Sequence, residues 1–159
     1  LGLFFSFMGD TFLLFSGEIF FMYGLGAFLI AHIVYIKITT DFLEGNLSMK
    51  MISSSIPFVM LFLGLMTLLY ENLGAQLIPV LIYGLTISTF GAITLLNYRM
   101  NRSTDNLWLF IGAVFFIGSD SMIAINKFYE SQEIYNVLIM LTYIVAQYLI
   151  CKAMIAKRS

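Results

Sequence analysis

Gly112-Ala113-Val114-Phe115-Phe116-Ile117-Gly118-Ser119-Asp120-Ser121-Met122-Ile123-Ala124 is an apolar run with a carboxylic acid set inside it. An Asp at the centre of a membrane helix costs about 2.5–3.5 kcal/mol on insertion scales, so a chain that keeps one usually needs it. A second copy of the pattern lies near the start. Phe7-Met8-Gly9-Asp10-Thr11-Phe12-Leu13 echoes Ile117-Gly118-Ser119-Asp120-Ser121-Met122-Ile123. The sequence reads as two intramembrane aspartates and the helices that hold them.

Composition sets the solvent. Of 159 residues, 60% are hydrophobic and 11% charged, and the mean hydropathy is +0.94. Soluble domains lie near 45–50% apolar and about 25% charged. Lipid offers no partner to a bare peptide group, so spans must be helices or a closed barrel. The apolar runs here are continuous rather than alternating and about 20 residues long, which selects helices. The fold class is therefore all-α, a polytopic transmembrane bundle forming a single domain over 1–159. A net charge of −1 gives no sign of a nucleic-acid partner. The lone Cys151 excludes an internal disulfide and a cysteine-based metal site. The chain opens at Leu1 inside an apolar run with no basic leader, which suggests a start further upstream and an N-terminally truncated sequence.

Six spans are expected, at about 1–16, 19–38, 51–70, 75–97, 107–126 and 133–155. The second connection is Thr39-Thr40-Asp41-Phe42-Leu43-Glu44-Gly45-Asn46, and the fourth runs from Asn97 to Asn106. Lys37, Lys50, Arg99, Arg102, Lys152, Lys157 and Arg158 fall on one side, and only Lys127 on the other. The positive-inside rule makes the first side, with the C-terminus, cytoplasmic. Asp10 and Asp120 then each lie about six residues before the outer end of an outward-running helix, roughly 9 Å below the surface.

Polar residues recur at helical spacing: Ser6 with Asp10, His32 with Tyr35, Tyr83 with Thr86, and Tyr143 with Gln147 and Cys151. Gly112, Phe116 and Asp120 share a face of the fifth span. Such rows point inward in a bundle, where small residues let helices approach closely. The expectation is one polar cavity bounded by the first, second, fourth, fifth and sixth spans. An internal repeat is also expected, pairing Asp10 with Asp120 and Ala31-His32 with Ala146-Gln147 in parallel copies.

Each of these residues also has a plainer reading. The acids serve equally as helix caps or interhelical bonds, His32 as an interhelical hydrogen bond, and the tyrosines and Gln147 as packing glue. Ser119 can bond back to its own helix. No HExxH, GxSxG, CxxC or phosphate-loop pattern is present, which counts against a zinc protease, a serine hydrolase and a nucleotide-driven pump.

Gly9-Asp10, His32-Ile33-Val34-Tyr35, Pro79 with Tyr83, the stretch from Gly112 to Ser121, and Tyr143 with Ala146-Gln147 together resemble the YhhN family. The resemblance runs from the first span to the sixth, over essentially the whole chain, and is most specific at Ser119-Asp120-Ser121. It implies eight helices in a whole member, two of them before Leu1, and residence in a membrane such as the bacterial inner membrane. The implied activity is hydrolysis of the vinyl ether of a lysoplasmalogen, or of a related lysolipid, to a fatty aldehyde and a glycerophospho-headgroup.

The family's two key aspartates fall on Asp10 and Asp120, the pair already reached from pattern and depth. Vinyl ethers hydrolyse by protonation at carbon and capture of the oxocarbenium ion by water. That chemistry suits one acid that still holds its proton and one carboxylate, much as in glycosidases. Either aspartate fits either role. Ser6, His32, Tyr35, Tyr83, Ser119, Tyr143 and Gln147 form the surrounding set, orienting water or the headgroup. Neither metal nor cofactor is required.

The chief rival is a proton- or ion-coupled transporter using the same acids. An intramembrane aspartyl protease and a non-enzymatic lipid-binding protein are more distant alternatives.

Overall fold

The computed structural model describes residues 1–43 and 48–157. Glu44, Gly45, Asn46 and Arg158, which entered the loop and charge readings, lie outside the described residues. Among the described residues the chain forms six α-helices, one 3-10 turn and no strand. These are α1 (Gly2–Leu13), α2 (Glu18–Thr40), α3 (Ser48–Leu73), the turn at Gly74–Gln76, α4 (Leu77–Met100), α5 (Thr104–Phe128) and α6 (Glu133–Ala156).

Four stretches are long and apolar enough to cross a bilayer: α2, the continuous helical run 49–100, α5 and α6. The run 49–100 is a hairpin. Gly74, at φ +49°, turns the chain so that α3 and α4 pack along each other. At twelve residues α1 is shorter than expected. It measures roughly 18 Å, where a crossing needs about 20 residues and 30 Å. Leu14 and Phe15 keep the apolar pattern going, but the connection to α2 uses them. That connection ends at Gly17, whose φ of +124° is open to glycine and strained for other residues.

Most other helix ends run two or three residues past the expected limits. At α5 the reason is explicit. The Ser103 hydroxyl accepts the Asn106 backbone N–H at 3.2 Å, and Asp105 stands in the first turn. This cap and its favourable dipole contact start the helix before the first apolar residue.

The exterior is apolar and the interior partly polar. Phe7, Ile33, Met60, Ile78, Leu85 and Tyr148 are each more than half exposed. Ser6, His32, Thr39, Thr94, Asn97 and Ser119 are buried. Lipid-facing side chains need no burial, whereas polar groups in a membrane need partners. Asn97 finds them at one end of the bundle, donating to the Thr39 carbonyl at 3.0 Å and tying α4 to α2. Beside it, Arg99 donates to Ser53 Oγ at 2.7 Å and ties α4 to α3.

Packing runs α1 on α2, α2 on α4, α4 on α5 and α5 on α6, with α3 outside α4 and α5. No comparable packing joins α6 back to α1. The helices form an incomplete ring, and the functional groups gather beside its gap.

Candidate functional site

The expected single polar cavity is divided: two spaces share a wall, and a third of about 60 Å³ between α3, α4 and α5 also reaches Tyr83 and Asp120. The larger is about 650 Å³ and lies between α1 and α6, with α2 and α5 behind it. Asp10 and Tyr143 supply its deep polar groups, and Leu13, Phe28, Ile139 and Ile144 its apolar lining. Leu14, Phe15, Met140 and Ile144 at its edge are more than half exposed, so it opens sideways. The smaller space, about 50 Å³, holds Asp120 and Tyr83 against α2 and α4. Leu13, Phe21, Phe28 and Ile123 line both. The fourth helix thus contributes to the small space and not to the large one. The split follows from side-chain size, because Phe28 stands where the polar rows alone suggested open volume.

Asp120 is held by a tyrosine from another helix, and Asp10 faces one. The Tyr83 hydroxyl donates to the Asp120 carboxylate, bridging α4 and α5. Tyr143 on α6 interacts with the Asp10 carboxylate across the cavity. Asp10 and Asp120 lie in the two spaces on either side of the wall formed by Leu13, Phe21, Phe28 and Ile123. Asp10 lies three residues before the end of α1 at Leu13, and Asp120 eight before the end of α5 at Phe128. The expected equal count of six therefore becomes an unequal one, because α1 ends early and α5 runs long.

Behind Tyr143 the polar groups form a chain. Tyr35 donates to Gln147 Oε1 at 3.0 Å. Gln147 Nε2 donates to the Tyr143 hydroxyl at 3.1 Å. Tyr35 on α2 is thereby connected through α6 to Asp10 on α1. Ser6 lies near Tyr35, but its Oγ, wholly buried, closes no hydrogen bond among the described residues.

His32 does not make the interhelical bond considered above. Its Nδ1 lies 2.9 Å from the Phe28 carbonyl of its own helix. A carbonyl only accepts, so Nδ1 carries the hydrogen. The other ring nitrogen, Nε2, is buried and has no partner among the described residues. Phe116, Phe90, Tyr83 and Tyr35 pack edge-on around the ring, with Phe116 nearest at 4.6 Å between centroids. His32 lines neither space. Ser119 also differs from its plain reading. It donates to the Ile139 carbonyl at 3.1 Å, joining α5 to α6 rather than bonding within α5. Thr86, by contrast, bonds the Ile82 carbonyl of its own helix at 2.8 Å and stays outside the site.

The structure adds residues that sequence periodicity passed over. Ser16, Asn126, Lys127 and Asn136 line the mouth of the large cavity. Lys127, expected in a loop, lies in the last turn of α5. Their signal in the sequence was weak because polar residues at helix ends are ordinarily solvated.

The fold and site define a helical membrane protein with two acids paired to tyrosines beside an apolar, laterally open cavity. The chain belongs to the YhhN family, which it matches over residues 1–154. It is 31% identical over 133 residues to a lysoplasmalogenase of Mycobacterium bovis and to one of Mycobacterium tuberculosis, covering 82% of this chain. It is 34% identical over 164 aligned positions to human lysoplasmalogenase TMEM86A, covering 99% of this chain. The chain spans 49% of the length of the mycobacterial relatives and 65% of the human one. No solved structure matches it.

Proposed function

We propose that the protein is a membrane hydrolase that cleaves the vinyl ether of a lysoplasmalogen or a related lysolipid. The observation that carries this reading is Asp10 opening on an apolar cavity of about 650 Å³, with Asp120, bonded by Tyr83, on the other side of the wall formed by Phe28 and Ile123. The names of the relatives point the same way.

The reaction needs a proton delivered to the outer carbon of the C=C–O group. The oxocarbenium ion so formed takes up water, and the resulting hemiacetal divides into aldehyde and glycerol hydroxyl. Asp10 faces the cavity and is the acid that meets the lipid. Asp120 lies behind Phe28 and Ile123, steadied by Tyr83, and contributes negative charge toward the cation. Tyr143 positions Asp10, with Gln147 and Tyr35 behind it. The alkenyl chain lies along Leu13, Ile139 and Ile144.

In this reading both arms of the α3–α4 hairpin cross the membrane, α1, too short as a helix to span it alone, enters it beside α2, and the C-terminus is cytoplasmic. The α1–α2 and α5–α6 hairpins are then two copies of one unit.

The test is aldehyde release from lysoplasmenylethanolamine by purified protein. Asp10→Asn and Asp120→Asn should each lower the rate at least a hundredfold while the protein stays folded. Unchanged turnover in either variant would remove that acid from the mechanism. A wild-type protein that releases no aldehyde but moves protons across liposomes would favour the transporter.

A further inference from the structure

The mouth of the large cavity carries polar donors that the acid chemistry does not use. We propose that Lys127 and Asn136 form a phosphate-binding subsite for the headgroup of a lysophospholipid whose chain lies in that cavity. The choice of lipid rests on the hydrolase reading above.

Lys127 stands apart from the other described cations. Lys37, Lys50, Arg99, Arg102, Lys152 and Lys157 belong to the opposite end of the bundle. The one ion pair among the described residues joins Lys37 to Asp41. Lys127 lines the cavity with its ammonium 4.5 Å above the Phe21 ring, itself part of the shared wall. Glu18 lies across an adjoining space that Lys127 also lines, and no ion pair joins them. An exposed lysine resting on an aromatic ring keeps its charge available to an anion.

The orientation of Asn136 follows from its neighbours. The Gln132 backbone N–H donates to Asn126 Oδ1 at 2.9 Å. A backbone N–H can only donate, so the accepting atom of Asn126 is its oxygen and the other terminus is its NH₂. That NH₂ donates to Asn136 Oδ1 at 3.2 Å. The Asn136 oxygen is thus occupied, and its own NH₂ is the end left to donate. An ammonium and an amide NH₂ at one rim suit a phosphate diester, which accepts and is anionic.

Depth agrees with the chemistry. Lys127 is seven residues beyond Asp120 on α5, about two turns or roughly 10 Å. A phosphate held at the rim places the glycerol and its ether linkage further in, toward the acids.

The test is equilibrium binding by calorimetry with the full chain in nanodiscs. The two probes are 1-O-alkyl-lysophosphoethanolamine, which has no vinyl group to hydrolyse, and 1-O-alkylglycerol of the same chain length, which lacks phosphate. Wild type should prefer the phosphate-bearing probe. Lys127→Gln should weaken its binding roughly tenfold, the size of a lost charge-assisted hydrogen bond, and leave alkylglycerol unchanged. Lys127→Arg should retain the preference, and Asn136→Leu should reduce it in part.

Equal binding of the phosphate probe by wild type and Lys127→Gln would overturn the subsite, as would equal loss for both probes. Competition by millimolar inorganic phosphate as effective as that of the lipid would make this a free-phosphate site and overturn the headgroup assignment. Binding needs no turnover. A chain that binds as expected and releases no aldehyde would retain the subsite and lose the hydrolase.

Discussion

At the scale of single residues, a phenol stands beside each acid, and one of them is bonded to it. Tyr83 is buried, and its hydroxyl is committed to Asp120. Tyr83→Phe keeps the ring packed on His32 and removes only that donor, so the Asp120 carboxylate loses its bond without a cavity being formed. Activity should fall roughly 10²-fold with little change in melting temperature, the size seen when one preorganised hydrogen bond leaves a charged site. Steady-state kinetics beside a thermal melt would check this, and a stable variant with full activity would make the bond structural. The acids and tyrosines were legible in the sequence because a polar group inside an apolar run is costly and therefore informative. The donors at the cavity mouth were not, since Asn126, Lys127 and Asn136 occupy helix ends where polarity carries no penalty. The shared wall was also hidden, because a Phe reads alike whether it faces lipid, core or cavity.

At the scale of helices, spacing recovered the all-helical class and the order of the helices and missed their ends. At α1 the helix stops short of its expected end, because Leu14 and Phe15 extend the apolar pattern beyond the last helical turn. Chain geometry at Gly17 settles that boundary, and hydropathy does not register it. Close packing was legible in part through small residues. Gly112 lies where a Cβ would stand 2.9 Å from Ile150 Cγ1 and 3.1 Å from the Ala146 carbonyl oxygen. The carbonyl belongs to α6 backbone and cannot turn aside. Gly118, on the same helix, has nothing within 4 Å of that position. Gly112→Ala should therefore push α6 from α5 and destabilise by about 1–3 kcal/mol. Gly118→Ala should be neutral or stabilising by up to about 1 kcal/mol. Unfolding of the two variants in detergent, side by side, would decide it, and equal stability would mean that the α5–α6 seam yields freely.

At the scale of the whole molecule, charge is sorted between the two ends of the bundle, and the positive-inside rule predicts that the end rich in Lys and Arg faces the cytoplasm. Single cysteines placed in a Cys151→Ala background make this measurable in intact cells. A membrane-impermeant maleimide should label Ser131→Cys, between α5 and α6, and leave Arg102→Cys, between α4 and α5, unlabelled until the cells are opened. Labelling in the reverse order would invert the protein and place the mouth of the cavity in the cytoplasm. The open seam between α1 and α6, which Asp10 and Tyr143 line, has a kinetic consequence. A slot that opens sideways fills from a two-dimensional reservoir, so its occupancy tracks the mole fraction of ligand in the surrounding sheet and not its molarity in the tube. Adding inert lipid at fixed total ligand should slow filling in proportion, whereas adding buffer should leave it unchanged.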